Sequence, residues 1–359
     1  LNSDTSRASL CENTRKMWLH YTILLLSIRF YYGSSNEENP RSHKISDEIK
    51  SFPAKSIISN KYNFDNFQNY ETMVTYLKYL STRFSNLTTL MIIGRTYENR
   101  DLFLVKITSP YNNTVSDKKP AIWIDAGIHA REWITGGVAM RLIYELVQNY
   151  KQNADIVQKY DWYIMPMANP DGYSYTWTND RLWRKNRSPG RRCKGVDINR
   201  NFDMFWGEAA SANECDETYR GSQIFSEKES IAIRDAIMQR KNQIKMYLSL
   251  HSYGQLLLFP WGVGTQKPRN YDKLFSVSSQ AVGTIRKTTG RVYTNGQTTN
   301  IMYQAGGCSD DWSYGKANIS LVYTFELRDQ STFLVGPEQI APTFQELLAA
   351  LKVMVTNIV

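Results

Sequence analysis

His129 and Glu132 stand three positions apart, and His251 follows far downstream in a chain of 359 residues with four histidines. Both imidazoles come after apolar runs: His129 shortly after Ala121-Ile-Trp-Ile-Asp-Ala126, His251 directly after Met246-Tyr-Leu-Ser-Leu250. Two imidazoles and one carboxylate make three zinc ligands and leave a fourth position open to water, as catalytic rather than structural zinc sites do. The spacing is not H-E-x-x-H, so a ligand pair one turn apart on a helix is excluded. The plainer reading is an incidental His–Glu pair at a turn. Glu326 also closes an apolar run, Leu321-Val-Tyr-Thr-Phe325. A carboxylate there is costly unless it is solvated, paired or functional. It could pair with Arg328, or it could act as general base on a water held by the metal. Asp197-Ile-Asn199-Arg200-Asn201 gathers polar groups that either bond one another in a loop or recognise a carboxylate through an arginine fork and an amide. Arg181-Leu-Trp183-Arg184-Lys185 adds cations that alone read as a solvated loop.

The elements that must carry these residues follow from periodicity. The run at 121–126, Trp162-Tyr-Ile-Met165, the run at 246–250 and that at 321–325 predict buried strands. Ile134, Val138, Leu142 and Leu146 recur every fourth position and predict a helix with a broad core-facing stripe. Ser226-Glu-Lys-Glu229 has the form of a capping box and predicts a helix to about Arg240. Pro337 introduces a last helical region through Leu347, Leu348 and Leu351. Strands alternating with helices predict an α/β fold with a mixed, largely parallel twisted sheet and helices on both faces. In such sheets ligands bind beyond the carboxyl ends of the strands, which is where His129, His251 and Glu326 fall.

Composition bounds the rest. Hydrophobic residues make up 42% and aromatics 13%, enough to fill a sizeable core. The net charge of +9 comes from scattered lysines and arginines with no basic arm, so no nucleic-acid partner is expected. The four cysteines include no C-x-x-C pair, which argues against a cysteine zinc site. Residues 1–33 read as upstream sequence followed by a signal peptide, with Arg15 and Lys16 before an apolar stretch from Trp18 to Ile28 that is too short for comfortable membrane insertion. Residues 34–61 read as a linker or truncated pro-segment, and 62–359 as the catalytic domain. Four Asn-x-Ser/Thr triplets, at Asn86, Asn112, Asn186 and Asn318, agree with a secreted, extracellular protein.

Seven motifs in order carry a resemblance. Gly127-Ile-His-Ala-Arg-Glu132-Trp133, Asn169-Pro-Asp-Gly-Tyr173, Trp183-Arg-Lys185, Gly195-Val-Asp-Ile-Asn-Arg-Asn201, His251-Ser-Tyr253, Tyr303-Gln-Ala305 and Phe325-Glu-Leu-Arg-Asp329 together closely resemble the zinc metallocarboxypeptidases of the pancreatic A/B type, from about Tyr62 to the C-terminus. The resemblance implies an exopeptidase acting on peptide or protein C-termini, with one zinc ion on His129, Glu132 and His251, working as a monomer. It implies Glu326 as general base and Arg184 as a stabiliser of the tetrahedral oxyanion. Asn199, Arg200 and Tyr303 would grip the terminal carboxylate, Ser252 and Tyr253 would contact substrate, and Arg131 and Arg181 would line the approach. Asp197 would orient His129. Cys193 and Cys215 would form a disulfide, leaving Cys308 as a small buried thiol where the family usually has glycine. Counting back from Trp312 puts Asp310 at the floor of the specificity pocket, where an aspartate marks B-type enzymes that take Lys or Arg; A-type enzymes carry an apolar residue there. The rival classes are a catalytically inactive peptide-binding homologue and a small-substrate zinc amidohydrolase.

Overall fold

A computed structural model describes residues 62–109, 119–329 and 331–358. The expected signal peptide and pro-segment lie outside the described residues. Long runs of Val, Ile, Leu and aromatic residues form the strands that are covered on both faces, as parallel strands must be. These are β3 (Ala121–Ala126), β4 (Asp161–Met165), β5 (Ile244–His251) and β8 (Leu321–Glu326). Every residue of β3 and β4 is buried, and Glu326 is the single partly exposed residue of β8. With β1 (Thr88–Arg95), β2 (Asp101–Ile107), β6 (Leu256–Phe259) and β7 (Thr294–Gln297) they make an eight-stranded sheet of order β1-β2-β4-β3-β5-β8-β6-β7. The pairings of β3 with β4, β3 with β5 and β5 with β8 are parallel, and antiparallel pairings join β1, β2 and β6 to this centre. The result is the mixed, largely parallel α/β architecture expected.

Helices cover the sheet: α1 (Tyr70–Arg83), α2 (Trp133–Gln148), α3 (Ala154–Lys159), α4 (Pro170–Thr178), α5 (Lys228–Met238), α6 (Tyr271–Thr289), α7 (Thr298–Ile301), α8 (Ser309–Gly315) and α9 (Ile340–Met354). In α2 the stripe Ile134, Val138, Leu142 and Leu146 is fully buried, worth roughly 1.5–3 kcal/mol per side chain. α9 packs on α2 and α6. Among the described residues no helix is long and apolar enough to cross a membrane.

One local expectation fails. The helix after Ser226 begins at Lys228, and its N-cap Glu227 makes no side-chain cap bond. The capping box does not form because buried asparagines from elsewhere take its side chains. Asn201 Nδ2 donates to Ser226 Oγ (2.8 Å), Ser226 Oγ donates to Glu227 Oε1 (2.7 Å), and Asn186 Nδ2 donates to Glu229 Oε2 (3.0 Å). Glu229 is fully buried, and burial pushes its carboxyl up to about 8, the charge of Glu227 adding to the effect. The folded state therefore keeps a proton that the unfolded chain loses above the usual carboxylate range. The sign follows: this residue costs stability as pH rises from about 4.5 to about 8, and the cost is complete above that window. Glu229→Gln keeps an acceptor for Asn186 and carries no titration. The variant is expected to be more stable than the wild type at pH 9 by on the order of a few kcal/mol, and to show no such gain at pH 4.5. Urea unfolding at both pH values checks it, and a difference that does not change with pH would refute the buried-proton account.

Candidate functional site

The sheet order places β3, β5 and β8 side by side, so the residues that follow them share one end of the sheet. His251 closes β5 directly opposite Glu326, the last residue of β8. His129 lies in the turn after β3, and Glu132 sits at the amino end of α2, where its side chain leaves the helix uncapped and turns into the site. His129 Nδ1 is 2.8 Å from Glu132 Oε1, and His251 Nδ1 is 3.2 Å from Glu132 Oε2 and 3.1 Å from His129 Nδ1. All three residues are buried, and one donor atom from each falls within 4.8 Å of the others.

The chemistry of this donor set fits one zinc ion. Each imidazole has its other nitrogen engaged behind the site, so the two Nδ1 atoms converge; against the effect of burial, the Glu132 carboxylate raises His251 to about 9, so an arriving ion displaces a proton there. His129 Nε2 donates to Asp197 Oδ1 (3.2 Å). His251 Nε2 lies 3.0 Å from Ser249 Oγ, and Ser249 Oγ donates to Asp125 Oδ1 (2.7 Å). Burial, followed by the charge of Arg184, lowers His129 and favours its neutral, metal-binding form. Burial works against the charge on Glu132, but the two imidazoles outweigh it and hold the carboxyl well below its usual range. Asp197 accepts two bonds from Arg184, at Nε (2.9 Å) and Nη2 (2.8 Å), and one from the Asn199 amide (3.0 Å). That single buried carboxylate thus braces a metal donor, a guanidinium and the turn that carries Asn199 and Arg200.

A cavity of about 300 Å³ opens over this cluster. His129, Glu132, His251, Arg131, Arg184, Asn199, Arg200, Ser252, Tyr253, Tyr303, Asp310 and Glu326 all line it. Arg181 does not: Nη1 donates to the carbonyl of Arg131 (2.8 Å), Nη2 to that of Phe333 (3.2 Å), and its guanidinium lies 3.8 Å over the Trp133 ring. Arg131 sits 4.2 Å over Phe333 and is paired with exposed Glu217 (2.9 Å). Glu326 has no pair with Arg328, whose guanidinium goes to Glu346 and to Gln339. Asn199 Oδ1 accepts from the Ser309 amide (2.9 Å), which ties the arginine turn to α8. Gly307 (φ +73) precedes that helix, and a Cβ there would collide with the Arg200 carbonyl, so only glycine lets the two loops lie together. Asp310 is buried on the cavity wall, where its Oδ2 accepts from Thr324 Oγ1 (2.9 Å) and its Oδ1 from the Asp311 amide (2.9 Å). Tyr303 stands 62% exposed at the rim. Cys193 and Cys215 form a disulfide, and Cys308 is a buried free thiol 3.5 Å from Arg200 Nη1.

Several partners escape a reading of the motifs alone. Asp125 and Ser249 stand behind His251, and Asp311 takes the Gly262 amide on both oxygens (3.0 and 2.9 Å). Ser249 shares the face of β5 with His251, two residues away, so alternation along the strand is the one signal that points to it. Leu258, Met302 and Phe333 also line the cavity without any motif.

Comparison with known proteins agrees with this geometry. The family model described as zinc carboxypeptidase matches residues 73–350. Zinc carboxypeptidase A 1 of Drosophila melanogaster is 39% identical over 279 residues, covering 76% of this chain and 65% of that protein. Carboxypeptidase B of Astacus astacus is 40% identical over 281 residues, covering 77% of this chain and 91% of that protein. The chain thus spans just under two thirds of the length of the first relative and nearly all of the second. The bovine thrombin-activatable fibrinolysis inhibitor, solved with a tick carboxypeptidase inhibitor, superposes with a TM-score of 0.77 at 34% identity, over 82% of this chain and 98% of that one. With a donor set suited to one zinc ion and relatives of both A and B type, the chain belongs to the zinc carboxypeptidase family of hydrolytic metallopeptidases.

Proposed function

We propose that the chain is a secreted exopeptidase that hydrolyses the C-terminal peptide bond of peptides and proteins and prefers terminal lysine or arginine. The observation that carries the preference is the Asp310 carboxylate, 7% exposed on the cavity wall. Among the described residues no lysine or arginine pairs with it; its partners are Thr324 and a backbone amide. Such a group gains from an incoming ammonium or guanidinium and is left unpaired by phenylalanine or leucine. The disulfide Cys193–Cys215 suits an oxidising, extracellular setting.

His129, Glu132 and His251 would hold the zinc ion, which would supply Lewis-acid chemistry to polarise the scissile carbonyl and acidify water. Glu326 takes the proton of the attacking water on its carboxylate and returns it to the leaving amine. Arg184, braced by Asp197, offers its remaining N–H groups to the oxyanion that forms on attack. Asn199, Arg200 and Tyr303 hold the substrate's terminal carboxylate, which restricts cleavage to chain ends. Ser252, Tyr253 and Arg131 meet the substrate on the approach. Arg181 acts through the two carbonyls it holds, those of Arg131 and Phe333.

Blocked dipeptides that differ only in the terminal residue test the reading. One zinc per chain is expected, with activity lost to a chelator, and kcat/KM for terminal Arg or Lys should exceed that for Phe or Leu by at least about 10-fold. A preference for Phe would remove the Lys/Arg part and leave the exopeptidase. That second, A-type reading draws on Leu258, Met302 and Ala305, which line the same cavity.

A further inference from the structure

Three Asn-x-Ser/Thr triplets fall on described residues, and the fold treats them differently. Asn186 is fully buried. Its Nδ2 donates to Glu227 Oε2 (2.7 Å) and Glu229 Oε2 (3.0 Å), and its Oδ1 accepts from the Val196 amide (2.8 Å). Asn86, in the turn between α1 and β1, is exposed. Asn318, in the link from α8 to β8, is exposed at φ +61, a left-handed conformation that asparagine tolerates.

Sheet register says where the two exposed triplets lie. Thr88 pairs with Ile107, Ile107 with Trp162, Trp162 with Ile122, Ile122 with Met246 and Met246 with Leu321. This row crosses the sheet at the start of the parallel strands. Asn86 stands just before its first member and Asn318 just before its last. The row of His251 and Glu326 is five residues further along β8, about 16 Å away at ~3.3 Å per residue.

We propose that Asn86 and Asn318 carry N-linked glycans at the end of the sheet opposite the peptide cavity, and that Asn186 carries none. The proposal rests on the reading of the chain as secreted. In the transfer, Nδ2 attacks C1 of a lipid-pyrophosphate-linked oligosaccharide. The N–C1 bond forms, the C1–O bond to pyrophosphate breaks, the amide gives up one proton, and the lipid pyrophosphate leaves with the bonding pair. Transfer happens as the chain enters the lumen, before the fold shields anything, so the fold decides which modified chains can mature. A sugar on Asn186 Nδ2 would occupy the space of the Glu227 and Glu229 carboxylates, and such chains cannot complete the fold. Sugars at Asn86 and Asn318 face solvent and leave the cavity open.

The test is expression of residues 1–359 in a eukaryotic secretory host behind a cleavable heterologous signal. Amidase release of the glycans converts each occupied asparagine to aspartate, which peptide mapping reads. The expected result is conversion at 86 and 318, asparagine retained at 186, one mobility step lost in Asn86→Gln and one in Ser320→Ala, and an unchanged kcat/KM after deglycosylation. Secreted protein with either exposed site bare, or with Asn186 converted, would overturn the proposal. Secretion is read separately, from the fate of the protein in its natural source: retention inside those cells would remove the secretion reading, while site occupancy behind the added signal still decides this one.

Discussion

Glu326→Gln is expected to retain the metal and to lose at least ~10²-fold in kcat. The three donors lie on other residues, so nothing in the metal cluster changes. Glu326 is the point where β8, otherwise buried, reaches the cavity beside His251. Desolvation pushes its carboxyl upward, with His251 and Arg184 opposing and Glu132 adding. Glutamine keeps the size and a hydrogen-bonding oxygen but cannot accept that proton. His251→Ala makes the contrast, because it removes a donor and should shed the ion itself. Metal analysis beside turnover separates the two effects. A metal-loaded Gln variant with near-normal kcat would place the base elsewhere.

The ends of strands are legible in this chain because parallel strands are buried on both faces. Where the apolar run stops, at Ala126, Leu250 or Phe325, the strand stops within a residue, and the chemistry-bearing side chains stand just beyond. The groups behind them are not legible in the same way. Asp125 and Ser249 lie inside apolar runs and acquire meaning only when β3 pairs with β5 in the register that sets them opposite each other. Arg181 and Arg184 are three positions apart in one basic stretch, yet one supports carbonyls and the other faces the cavity. The Ser226–Glu229 motif has the right types and spacing for a cap, and distant buried asparagines override it. In each case the deciding partner is remote in sequence, so tertiary packing chooses among readings that local chemistry leaves open.

Asp310→Ile is expected to invert substrate preference. Losing one member of a buried charge pair costs about 2–5 kcal/mol, which is ~30-fold to ~5,000-fold in kcat/KM for terminal Arg or Lys. Terminal Phe or Leu should gain, since their side chains no longer strand an unpaired carboxylate. The fold has reason to tolerate the change. Burial, then the charge of Asp310, pushes the neighbouring Asp311 carboxyl well above its usual range, so removing Asp310 relieves one of two adjacent buried acids. Thr324 and the Asp311 amide each lose an acceptor, which sets a cost against that relief. Asp310→Asn isolates the charge: it keeps an oxygen for Thr324 and the shape of the wall, so it should lose the Arg/Lys advantage without gaining on Phe. If the Asn variant retains the wild-type ratio, the preference comes from the shape of the cavity rather than from the Asp310 charge, and the B-type assignment falls with it.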